Sequence, residues 1–148
     1  MLQLKRKGLN WEILRDYEPV GMVQYQNPMK LLIETGDKQY TVAKTKFFSS
    51  TFEVTHEGEV LMETDFSIFE GFDLYFKVKD NYFTWKKEGL LSLVYSLKLA
   101  GSETVVGIGS KYSINKKNWE LDFPNNAEIW FPVSIALISD QIFFARYF

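Results

Sequence analysis

The chain has 148 residues, 46% of them hydrophobic and 17% aromatic, with a formal net charge of −2 and no cysteine. That length suits a single domain, residues 1–148, able to bury its own core. The charge balance excludes the broad basic surface of a nucleic-acid-binding domain, and the lack of cysteine excludes disulfides, thiolate nucleophiles and every Cys-containing zinc site.

The chain opens on "MLQLKRKGLNWEILRDYEP". No apolar secretory segment is visible there, so the expected location is the cytoplasm, with peripheral contact at a membrane left open. "LQLKRK", "WEILRD", "VGMVQY", "KLLIET" and "QYTVAKT" read as strands, and "TGDKQ" turns the last two into a hairpin. "TFEVT" alternates, with Phe52 and Val54 on one face and Glu53 and Thr55 on the other. "HEG" follows, Gly58 supplying the permissive backbone of a tight turn, and "EVLMETDF" returns. "FDLYFKVK" and "YFTWKK" flank "KDN", "LVYSLKL" and "TVVGIG" flank "AGSE", and "NWELDF" is a late strand. About twelve short strands joined by turns, without a linker, predict a barrel or sandwich. Closing the sheet removes edges that aromatic-rich strands would leave sticky.

After "DFPNN" the pattern breaks at "PVSIALISDQIFF", Pro132 to Phe144. A transmembrane helix needs about 20 apolar residues, and Asp140 and Gln141 interrupt this run after roughly ten. An amphipathic surface helix needs one polar face. Here Ser139, Asp140 and Gln141 are consecutive and circle the axis. A strand pair around a "DQ" turn is the remaining alternative. The preferred reading is a helix buried on all sides. A barrel of about twelve strands has room for one, since a helix with its side chains is about 10 Å across. Asn125 or Asn126 would cap its start, Pro132 would sit in its first turn, and Asp140 would lie toward the far mouth near water.

With those residues in view, the sequence resembles the tubby-like β-barrel superfamily, in particular its small LURP-one-related and phospholipid scramblase-like members. "YTVAKTKFFSSTFEVTHEGEVLME" and "YSLKLAGSETVVGIGSKYSINKKNWELDF" share that family's strand–turn–strand cadence, and "PVSIALISDQIFF" falls where the family has its core helix. The resemblance spans about residues 20–148 and is one of pattern and order. It implies a closed barrel of twelve mostly antiparallel strands around a hydrophobic C-terminal helix. It also implies anionic phospholipid headgroups as ligands, since tubby-like relatives bind phosphoinositides through basic side chains on the barrel. The metal loop and extra N-terminal segments of calcium-dependent scramblases have no counterpart here.

The residues nominate no catalytic constellation, metal site or cofactor. His56 is the single histidine and lies in the "THEGE" turn, where a solvent-facing role is the ordinary one. "GIGS", residues 107–110, lacks both the dinucleotide pattern and the P-loop lysine, so a bulge or turn accounts for it. Glu63, Asp65, Glu70, Asp73 and Asp80 crowd one stretch without the spacing of an EF-hand and read as solvated charge. The lysines form short sets: Lys77 with Lys79, Lys86 with Lys87, Lys44 with Lys46, Lys116 with Lys117. Such sets suit anionic lipid headgroups. The expected headgroup site is therefore Lys77, Lys79, Lys86 and Lys87. The expected function is a non-enzymatic binding or scaffold module contacting anionic lipid or a protein partner, with no nucleic acid. The rival expectation is a lipocalin-like or fatty-acid-binding-like barrel carrying a small apolar ligand. The two differ in what fills the interior.

Overall fold

The computed structural model describes residues 1–45, 51–66, 73–89, 92–111 and 118–147. Twelve strands run in chain order: β1 (Leu2–Lys7), β2 (Asn10–Arg15), β3 (Glu18–Asn27), β4 (Lys30–Thr35), β5 (Lys38–Lys44), β6 (Phe52–His56), β7 (Glu59–Phe66), β8 (Leu74–Val78), β9 (Asn81–Lys87), β10 (Val94–Leu99), β11 (Val105–Lys111) and β12 (Trp119–Asp122). One helix follows, α1 (Trp130–Tyr147). Each strand pairs antiparallel with its chain neighbours, and β1 pairs with β12 through Leu2↔Leu121 and Leu4↔Trp119 to close the barrel. The twelve segments read as strands from the sequence are the twelve strands of the wall.

Alternation sets the two faces of that wall. Leu4, Ile13, Val23, Ile33, Val42, Val54, Phe76, Trp85, Leu97 and Leu121 point inward and are almost fully buried. Register shifts interrupt β2–β3, β3–β4, β6–β7 and β10–β11. An extra residue at each bends its strand and adds twist, which helps a sheet curl shut. Gly107 and Gly109 lie inward beside the β10–β11 shift. A Cβ on Gly109 would stand 2.6 Å from the Trp85 ring, and one on Gly107 would stand 2.5 Å from Phe123. The "GIGS" glycines therefore make room for core aromatic rings.

Every residue from Pro132 to Asp140 is buried. Nine consecutive positions exceed two helical turns, so all sides of this part of α1 are enclosed. Wall residues hold it at both levels. Trp130 stacks on Tyr40 at 5.9 Å, Phe131 packs edge-on against Phe83 at 5.6 Å, and Trp85 Nε1 donates to Ser139 Oγ at 3.3 Å. One detail differs from the sequence reading. Asn125 and Asn126 lie in a turn ahead of the helix, where Ala127 N donates to Pro124 O, and Ile129 O accepts the bond from Val133 N. Pro132 does fall in the first turn.

Candidate functional site

Strand direction and register give the barrel two distinct ends. α1 begins at the end holding the β2–β3, β4–β5, β6–β7, β8–β9 and β10–β11 connections, called the N-mouth here. It runs toward the opposite end, the C-mouth, where the β1–β2, β3–β4, β5–β6, β7–β8, β9–β10 and β11–β12 connections lie. The N-mouth turns are tight. Asp16 and Tyr17 (φ 50° and 70°) and Glu57 and Gly58 (φ 52° and 82°) both show the paired positive φ that two-residue hairpins of the right twist require.

The two ends differ in charge. Asp16, Glu18, Asp37, Glu57, Glu59, Asp80, Glu103, Asp122 and Glu128 ring the N-mouth, all exposed, against Arg15, Lys38, Lys79, Lys98 and the N-terminal ammonium, the last two paired with Glu103 and Asp16. Arg6, Lys7, Lys30, Lys44, Lys86, Lys87 and Lys111 lie at the C-mouth, and among the described residues Glu12, Glu53, Asp65, Asp73, Glu88, Glu120 and Asp140 match them in number, so this end is near neutral where the N-mouth is acidic. Four of these cations continue inward-facing rows of the wall: Arg6 after Leu4, Lys44 after Val42, Lys87 after Trp85 and Lys111 after Gly109. Their stems lie on the core and their heads reach the rim, as long basic side chains do at an apolar–water boundary. The Arg6 guanidinium sits 4.7 Å from the centre of the Trp11 ring, Lys44 Nζ 6.0 Å from that of Phe52, and Lys111 Nζ 5.2 Å from that of Trp119.

The expected headgroup residues do not converge. Lys77 is exposed on the outer wall, opposite Glu63 in register and 5.8 Å from the Tyr82 ring. Lys79 is in the β8–β9 turn at the N-mouth with φ 55°, so it does not continue the β8 face. Lys86 and Lys87 end β9 at the C-mouth, Lys86 outward and Lys87 inward. Lys44 is described. Lys46, Lys116 and Lys117 lie outside the described residues, as does Glu70.

One buried and one half-buried polar cluster escaped the sequence reading. Asp140 is held inside the C-mouth, not in water: its side chain is 3% exposed, Lys111 Nζ donates to Oδ1 at 2.5 Å and Trp119 Nε1 to Oδ2 at 2.9 Å. A carboxylate on a buried helix needs such donors, because an unpaired buried charge is strongly unfavourable. The signal in the sequence was the lone acid in an apolar run, but nothing there named Lys111 as its partner. His56 is half-buried. Its ring stacks on Tyr40 at 4.7 Å, and Nδ1 lies 2.8 Å from Gln39 O. Burial, and then the negative charge of Glu128, push the Tyr40 hydroxyl above its ordinary value of 10.0, and Lys38 opposes them.

The interior that a carried apolar ligand would need is occupied by α1. A cleft beside its start, lined by Leu2, Leu121, Phe123 and Pro132 among others, amounts to about 10 Å³, room for roughly one water. Among the described residues no helix is long and apolar enough to cross a membrane. Comparison of the chain with family models, with curated proteins and with solved structures finds no match. The fold and its two mouths define a helix-filled β-barrel with one acidic end.

Proposed function

We propose that this protein is a non-enzymatic binding module whose outer surface contacts anionic phospholipid headgroups at a membrane face. The observation that carries the reading is the filled barrel. With α1 occupying the interior, recognition is left to the outside, and the C-mouth, which carries seven basic side chains, is the less acidic of the two ends. The resemblance to tubby-like barrels supports it, since basic side chains on the barrel of those relatives bind phosphoinositides. A peripheral protein of this kind works by Coulomb attraction, at about 1 kcal/mol per basic residue near the surface, and is weakened by salt. The test is flotation with phosphatidylcholine vesicles with and without phosphatidylserine, over a salt series. Binding that needs the anionic lipid and fades with salt is expected. Equal binding to neutral vesicles would remove the electrostatic basis.

A further inference from the structure

We infer that the barrel docks end-on, with its C-mouth on the anionic surface and the axis of α1 near the membrane normal. This rests on the lipid-binding reading above and names the surface that performs it. Three observations carry it. Arg6, Lys44 and Lys87 are the inward-row cations at the C-mouth of β1, β5 and β9, and those strands stand four apart around the ring of twelve. Three supports evenly spaced around a rim define a plane, so a flat charged surface meets all of them only when approached end-on. Lys30 and Lys86, both exposed, add positive charge to the same rim, which Glu88 and Asp73 there partly offset. The opposite end carries the exposed acidic ring, which an anionic surface repels, so the field of the molecule itself turns the C-mouth toward the lipid. Lys7 and Lys111 contribute less, being engaged by Glu12 and Asp140.

The chain has no cysteine, so single labels can be introduced without background. Leu9→Cys, in the β1–β2 turn of the C-mouth, and Tyr17→Cys, in the β2–β3 turn of the N-mouth, replace uncharged residues exposed at 59% and 78%. Each is labelled with a fluorophore and mixed with phosphatidylserine vesicles carrying a spin-labelled lipid quencher. Quenching at position 9 and none at position 17 is expected; equal quenching, or the reverse, overturns end-on docking. In parallel, Lys44→Gln/Lys87→Gln should lose roughly 25-fold in vesicle affinity, about five-fold per cation removed. Lys77→Gln/Lys79→Gln, on the side wall and the N-mouth, should stay within about two-fold, since a charge farther than a Debye length from the surface is screened. If the second pair matters and the first does not, lipid binding stands and the orientation falls. If the unaltered protein ignores phosphatidylserine altogether, both fall.

Discussion

At the scale of single residues, the Asp140–Lys111 pair is the strongest constraint the sequence concealed. Removing one partner of a buried ion pair leaves an uncompensated charge, which costs about 3–5 kcal/mol. Lys111→Met is therefore expected to lower stability by that amount in urea denaturation, and Asp140→Leu added to it to recover much of the loss. Gly109→Ala drives a methyl into the Trp85 ring and is expected to cost about 1–3 kcal/mol through overpacking. Tyr40 gives a pH signature. Its folded-state hydroxyl holds its proton more tightly than the unfolded chain does, so its contribution is complete below pH 10.0 and falls as pH rises through the folded value. Tyr40→Phe should flatten the alkaline limb of the stability curve measured by denaturant midpoints.

At the scale of elements, α1 is core and wall partner at once. Ile138 is fully buried, so Ile138→Asp is expected to abolish cooperative thermal melting and raise binding of an apolar-surface dye. The wall was legible in the sequence because period-two alternation, as in Phe52–Glu53–Val54–Thr55, is a local signal, and so are turns such as Glu57–Gly58. The helix was legible because its run lacks a polar face. What stayed hidden is what depends on placement across the barrel. Lys77 and Lys79 have the spacing of one strand face, yet the chain turns between them, and Lys79 adopts positive φ. Arg6, Lys44 and Lys87 are far apart in sequence and form a set only once β1, β5 and β9 take their places in a closed ring. Asp140 looked like a residue bound for water because an isolated acid gives no hint of donors 21 and 29 positions away.

At the scale of the whole molecule, the acidity of the N-mouth matches the helix inside. The positive N-terminal end of α1 lies at the acidic mouth, an arrangement favoured by the helix dipole. The near-zero net charge therefore masks a polarised particle, and ionic strength should change its approach to a charged surface more than its melting temperature. Closure has a kinetic side as well. The β1–β12 seam joins Leu2 to Leu121, and such non-local pairing places folding in the millisecond-to-second range, measurable by stopped-flow fluorescence of the buried Trp85 and Trp119. In the cell the order of synthesis adds to this. The staves are made before the filling: α1 follows all twelve strands, so at roughly 5–20 residues per second the wall waits a few seconds for the segment that occupies it. For that interval the nascent chain carries an aromatic inner lining with nothing to cover it, which is when a chaperone would be needed most.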